Sequence, residues 1–264
     1  MNTFWVQVDI SHEGVPTRFF MNDCGGRDQV VVAVNQGGWR NYEAPLPEII
    51  AKLCRGLNPI FIDVGANTGY YSLLAIASGA SKVFAFEPVP SIHEIFTKNI
   101  KESAVTRQIT LFELGIGEAN GSFTLYLPEA GHGLVETSAS LNKDFRSSHS
   151  DEYKVEVITL DYFGDKHHSE LVEQQVVMKI DVETFEPQVI LGGLNFIHTH
   201  RPVIAIEILP GSDIVFFENF CREQNYEHIW LRPGQPIELA HGSIEASIVH
   251  RDHLLVPAEK TGSL

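Results

Sequence analysis

The segment Ile60-Phe61-Ile62-Asp63-Val64-Gly65-Ala66-Asn67-Thr68-Gly69 opens as a continuous apolar run and closes in a glycine turn. Directly after it, Tyr70, Leu73, Leu74 and Ala77 fall on one helical face. Strand, glycine turn and helix in that order begin a βαβ unit. A second strand, Val83 to Phe86, continues the unit. It is followed by a helix with Ser91 and Glu94 as a capping box and Ile92, Ile95, Phe96 and Ile100 facing inward. The pattern predicts a parallel sheet.

Further along, Ile109 to Leu114 and Ser122 to Leu127 read as strands. The Gly/His/Ser-rich stretch from Pro128 to Ser150 reads as a long loop. Val155 to Leu160 alternates like an edge strand, whereas Val176 to Val182 and Val203 to Ile208 are apolar throughout, as strands covered on both faces are. A helix is expected over Phe185 to Asn195, and another capped by Asp213 and running through Cys221. Strands at Glu227 to Leu231, Ser247 to His250 and Leu254 to Val256 complete the reading.

Upstream, Phe4 to Ile10, Thr17 to Met21 and Gln29 to Val34 look strand-like, and Leu46, Ile49, Ile50 and Leu53 look helical. The expected organisation is a small N-terminal β extension over 1–44, a main α/β domain over 45–257 and a flexible tail over 258–264. The 264 residues are enough for one large core.

With 44% hydrophobic and 20% charged residues, disorder and fibrous classes are excluded. A net charge of -15 opposes binding to a phosphate backbone, so no nucleic-acid partner is expected. Cys24, Cys54 and Cys221 match neither a disulfide framework nor a paired zinc spacing. No stretch of about 18 apolar residues is present, so membrane insertion is not expected and a cytoplasmic location is.

The glycine loop lets backbone approach a ligand at a helix N-terminus. Its spacing, G-x-N-x-G over Gly65, Asn67 and Gly69, departs from the G-x-G-x-x-G of dinucleotide folds. Asp63 beside the turn would repel a pyrophosphate but can accept from an ammonium and favour a sulfonium, which suits S-adenosylmethionine better than NAD. Glu87, at the end of the second strand, is placed to accept both ribose hydroxyls. Asp63, Gly65, Asn67, Gly69 and Glu87 are therefore the expected cofactor-binding set.

A second constellation is Lys179-Ile180-Asp181-Val182-Glu183-Thr184-Phe185-Glu186. Strand alternation would send Asp181 and Glu183 to one side, where Glu207 from the next strand can join them. Three carboxylates there can hold Mg²⁺ or Mn²⁺, or orient a hydroxyl. The alternative is an ion pair of Lys179 with Asp181, with Glu183 and Glu186 favouring a helix start. His132, between two glycines of the long loop, is a further candidate base. The catalytic candidates are Asp181, Glu183, Glu207 and His132.

Ile62 to Ser72, Phe86-Glu87-Pro88-Val89-Pro90, Thr159-Leu160-Asp161 and Lys179 to Glu183 together resemble the FkbM family of methyltransferases over about Ile60 to Ile208. The resemblance implies a class I methyltransferase fold, Rossmann-like, with a mostly parallel sheet and helices on both faces. It also implies transfer to oxygen in many relatives, often on sugars or other secondary metabolites, and so a small-molecule or glycan acceptor. This chain departs from the family's Asp-Val-Glu-Gly-Phe-Glu by placing Thr184 at the glycine, where a left-handed backbone carries a cost for Thr. Pro187 is compatible with a first helical turn. An N-methyltransferase, a nucleotide-dependent oxidoreductase and a non-catalytic cofactor-binding protein are the competing readings.

Overall fold

The apolar run Ile60–Val64 forms β3, whose five residues are all buried. It lies parallel between β4 (Lys82–Phe86) and β9 (Val176–Ile180). Both its faces are covered, which is why the sequence there does not alternate. The structure, a computed structural model, describes residues 4–12, 15, 17–128, 135, 139–142, 149–234 and 243–263.

The main sheet continues on one side with β5 (Ile109–Phe112). On the other come β10 (Val203–Glu207), β12 (Asp252–Pro257) and β11 (Tyr226–Trp230). The order is β11-β12-β10-β9-β3-β4-β5, parallel except that β12 runs against both of its neighbours. The chain moves outward from β3 through β4 and β5, then returns to lay β9 on the other side of β3. Strand order therefore reverses between β3 and β9, and ligands bind beyond the carboxyl ends of strands at such a switch point.

Alternation along the strands sorts their side chains into two cores. Phe61, Val83, Ala85 and Val177 meet α2 (Leu46–Leu57), α3 (Tyr70–Ala77) and α4 (Pro90–Glu102). Ile62, Phe84, Met178 and Ile204 lie in the other core, with residues of α5 (Leu160–Lys166), α6 (His168–Leu171), α7 (Glu186–Leu191), α8 (Leu194–His200) and α9 (Ile214–Gln224). A mostly parallel sheet with helices on both faces is the class I methyltransferase fold that the sequence implies.

Beside the main sheet stands a three-stranded sheet of β6 (Gly115–Ile116), β8 (His149–Ile158) and β7 (Gly121–Pro128). The segment expected as an edge strand, Val155 to Leu160, instead contributes to the central strand of this sheet.

The N-terminal region differs from expectation. β1 (Trp5–Asp9) and β2 (Arg18–Asn22) form a hairpin, but Gln29 to Val34 belongs to α1 (Gln29–Gly37). The valine run has high strand propensity, yet Asp28 caps the helix by accepting from the Val31 N–H at 3.1 Å. The helix then buries Val30, Val31 and Val34. Val8, Phe19, Met21 and Trp39 share one core with Ile50 and Phe96. Asn99 from α4 accepts the Asn22 N–H at 2.9 Å.

Other local readings also change. α4 starts at Pro90 with Val89 as its cap and no side-chain capping bond, so Ser91 and Glu94 form no capping box. Gly192 and Gly193 divide the helix expected over 185–195 into α7 and α8. Ser247 to His250 is not strand; its turn is held by Ser247 Oγ, which accepts from the amides of Val249 and His250. Residues 258–263 form a 3-10 helix where a loose tail was expected. Glu259 pairs with Arg201 at 2.8 Å, and Lys260 donates to the Arg201 carbonyl at 2.6 Å.

Candidate functional site

The turn after β3 is stitched to both neighbouring strands. The amides of Gly65 and Ala66 donate to the Phe86 carbonyl at 3.1 and 3.0 Å, and the Asp181 amide donates to the Val64 carbonyl at 3.0 Å. Gly65 has φ +80°, and a Cβ there would overlap the Asp181 carbonyl oxygen. Only glycine lets the two loops meet this closely. Asn67, at φ +50°, donates its amide to Glu87 Oε2 at 3.0 Å.

Two cavities open around this turn. The first sets Glu87 among apolar side chains that include Ile92, Leu114, Leu125 and Leu141. The second is walled by Tyr42, Glu43, Tyr71 and Lys179. Gly65, Asn67 and Asp181 line both. Three of the five expected cofactor residues, Gly65, Asn67 and Glu87, thus meet at the cavities.

The other two do not. Gly69 lines neither cavity; at φ +96° it is the point where Phe96 of α4 packs, and a Cβ would run into that ring. Asp63 is 1% exposed and also lines neither cavity. Its Oδ2 accepts from Ser72 at 2.6 Å, and the strand register sets it beside Lys179. Burial raises its carboxyl, opposed by Lys179. Asp63 acts on the site through its field and its neighbours, not by reaching into a cavity.

Glu87 is the buried carboxylate that does reach the first cavity. Its Oε1 accepts the Val89 amide at 2.8 Å, and burial pushes its carboxyl up to about 7 against that bond and the one from Asn67. This geometry fits an adenosine: an apolar slot for the base and one fixed carboxyl for the ribose hydroxyls. The second cavity, bounded by Glu43 and Asp181, fits the cationic end of S-adenosylmethionine.

Asp181, Glu183 and Glu207 converge, each offering a carboxylate oxygen within 4.8 Å of the others. They converge by a route other than strand alternation. β9 stops at Ile180, and Glu183 and Thr184 take φ +54° and +70°, both left-handed. Thr184 thus adopts the left-handed backbone that a glycine there would take without strain. The turn is clamped from the long loop: Ser140 Oγ donates to the Glu183 carbonyl at 2.8 Å, and Asn142 Nδ2 donates to Thr184 Oγ1 at 2.8 Å. His132 of that loop lies outside the described residues.

Two cations are already engaged with this acid cluster. Lys179 pairs with Asp181 Oδ2 at 2.7 Å, and Arg251 pairs with Glu207 Oε1 at 3.0 Å. Burial works against the Asp181 carboxylate, but Lys179 holds it below the usual range. Burial and the fields of Asp181 and Glu183 push Glu207 well above it. A divalent ion at these acids would have to compete with Lys179 and Arg251, which already pair with Asp181 and Glu207.

Several site residues had no local signal in the sequence. Arg251 reaches Glu43 Oε1 at 2.7 Å as well as Glu207, and Tyr71 donates to Glu43 Oε2 at 2.8 Å. These contacts join parts of the chain up to 208 positions apart. Glu186, read as a helix-start charge, does open α7 and is buried there; its Oε1 accepts the Val182 amide at 3.0 Å, and burial pushes its carboxyl up to about 8.

The reversed strand order, the glycine turn and the strand-end acids define a class I methyltransferase fold. The chain belongs to the FkbM methyltransferase family: the model of the methyltransferase FkbM domain matches residues 63–228, more than half of the chain.

Similar solved structures include the methyltransferase FkbM from Methylobacillus flagellatus KT, 16% identical with a TM-score of 0.47, covering 75% of this chain and 43% of that one. An uncharacterized protein from Listeria monocytogenes serotype 4b is 13% identical with a TM-score of 0.42, covering 82% of this chain and 69% of that one. A SAM-dependent methyltransferase from Agrobacterium tumefaciens is 10% identical with a TM-score of 0.46, covering 96% and 70%. This chain spans less than half the length of the FkbM structure. No curated protein matches the sequence. Among the described residues, no helix is long and apolar enough to cross a membrane.

Proposed function

We propose that this chain is an S-adenosylmethionine-dependent O-methyltransferase acting on a hydroxyl of a sugar, glycan or other secondary metabolite. The observation that carries the reading is the meeting of two cavities at Gly65 and Asp181, one suited to adenosine and one rich in acids. The cofactor, when bound, supplies an electrophilic methyl group and a neutral thioether as leaving group.

The chain's residues then have distinct tasks. Glu87 holds the ribose end, and Gly65 and Asn67 bring backbone close to the ligand. Asp181, kept ionised by Lys179, accepts the proton of the acceptor hydroxyl. Glu207, paired with Arg251 and with its carboxyl raised by burial and by the neighbouring acids, adds less negative charge beside Asp181 than a free carboxylate would. Ser140 and Asn142 hold the Glu183–Thr184 turn in place, while Leu141 closes the apolar slot. The net charge of -15 supports a partner other than nucleic acid.

Incubation with labelled cofactor and a panel of glycans and hydroxylated natural products, with mass spectrometry of the product, tests this directly. A product methylated on oxygen is expected, with activity unchanged by a chelator. Methylation on nitrogen would sink the O-methyl assignment, and failure to bind S-adenosylmethionine in calorimetry would sink the whole reading.

A further inference from the structure

We infer, resting on the methyl-transfer reading above, that Thr184 is a positioning residue for the adenosyl group. Its hydroxyl and Asn142 join two walls of the first cavity and so set how tightly, and for how long, an adenosyl ligand is held. One of these walls is the turn after β9, which gives Val182, Glu183 and Phe185 to the lining. The other is the short run 139–142 of the long loop, which gives Ala139 and Leu141. Side chains of the loop tie the two together: Ser140 Oγ donates to the Glu183 carbonyl and Asn142 Nδ2 to Thr184 Oγ1, each at 2.8 Å.

The loop wall is itself fixed. Ser140 is 2% exposed and exchanges backbone hydrogen bonds with Tyr126 of β7 at 2.9 and 3.1 Å. Its Oγ also accepts the Asn142 amide at 3.0 Å, and Ala139 and Leu141 pack with Val89, Ile92 and Leu125. The Asn142 side chain is therefore presented to the turn from a firm base.

The two ties differ in what they ask of the turn. Ser140 grips a backbone carbonyl, which is there whatever residue stands at 184. Asn142 needs a hydroxyl. Glycine, which the family's Asp-Val-Glu-Gly-Phe-Glu places there, has none, although it would take φ +70° without strain. This chain accepts a strained backbone and gains a second tie across the cavity, and strain is retained where a site needs a fixed geometry. Glu87, Ile92 and Leu125 line the same cavity, so the tie bears on the adenosyl part of a ligand. Cutting it should weaken any ligand that carries this part, whatever its other end holds.

The test uses the full chain and two probes, S-adenosylhomocysteine and methylthioadenosine, which share the adenosyl part and differ in the amino-acid end. Calorimetry gives Kd, and surface plasmon resonance gives the dissociation rate. Thr184→Val keeps the shape and removes the hydroxyl; both probes should weaken roughly threefold or more, mainly through faster dissociation. Thr184→Ser should restore the parent's values. Asn142→Ala should match Thr184→Val, and the two together should add nothing further, as for groups acting through one bond. Thr184→Gly also removes the hydroxyl but relaxes the backbone, so both affinities should fall while the melting temperature holds or rises. Parent-like Kd and dissociation rates in folded Thr184→Val and Asn142→Ala would overturn the inference, as would additive losses in the double variant. Weakening confined to S-adenosylhomocysteine would overturn it too, and so would affinity and melting temperature falling together in Thr184→Gly. A parent protein that binds neither probe would instead strike the underlying methyltransferase reading.

Discussion

Glu87 uses both carboxylate oxygens on backbone amides, that of Val89 in its own loop and that of Asn67 in the turn after β3, and still faces the first cavity. Glu87→Ala removes the ligand contact and both anchors together. Cofactor affinity should fall roughly tenfold or more, since a charge-assisted hydrogen bond contributes about 1.5 to 3 kcal/mol. Calorimetry giving an unchanged Kd in a folded variant would remove Glu87 from the site. Gly65→Ala behaves differently, because its new Cβ strikes the Asp181 carbonyl and no side chain can move aside to relieve it. That variant should lose thermal stability and cofactor affinity together. At Asp181 the charge matters more than the shape. Asp181→Asn should lower turnover at least tenfold more than it lowers cofactor affinity, because the lost interaction belongs to proton removal in the transition state. Equal kcat in the two proteins would leave Asp181 a structural partner of Lys179.

The turn between β9 and α7 shows how one element is held by another. Two successive left-handed residues, one of them β-branched, cost roughly 1 to 2 kcal/mol each relative to glycine, and the Asn142–Thr184 hydrogen bond offsets part of this. In an Asn142→Ala background Thr184→Gly gives up no hydrogen bond to Asn142, so it should raise unfolding stability by about 1 kcal/mol in urea titrations. A further loss of stability would show that Thr184 is not strained. The sequence made much of this region readable. The β3 turn, Glu87 and the acid trio were visible because strand–loop–helix periodicity places them at one sheet edge. That Asp63 and Gly69 line neither cavity was not readable: a motif records that a residue is required near a turn, but not which neighbour, Ser72 and Lys179 for the one or Phe96 for the other, stands against it. The valine run of α1 was read as strand because β-branched propensity was weighed above the Asp28 cap. Glu43 and Arg251 were not readable, since their pairing exists only after distant segments pack.

At the scale of the whole molecule, buried ionisable groups set the pH dependence of stability, and their signs oppose. Glu186 has its carboxyl raised to about 8 by burial, so the folded state keeps a proton that the unfolded chain releases above the ordinary carboxylate value of 4.5. Its contribution therefore becomes less favourable as pH rises from about 4.5 to 8. His228 and His253, in contact at 2.8 Å, are lowered to about 4 and 3, so the stability they help provide is lost as pH falls below 6.5. Glu186→Gln keeps an acceptor for the Val182 amide and removes the first effect. Its melting temperature relative to the parent should rise steadily between pH 5 and 8, and a pH-independent difference would show that Glu186 is ionised throughout. The whole molecule also carries a lesson in the placement of Tyr42, Glu43 and Arg251. All three lie outside residues 63–228, yet Tyr42 and Glu43 line the second cavity together with Asp181, and Arg251 ties Glu43 to Glu207. On the methyl-transfer reading, selection can therefore rewrite what such a site accepts by changing its flanks while the shared motif stays untouched. Two relatives with identical signatures can diverge into different chemical niches without altering a single residue of the part by which their kinship is recognised.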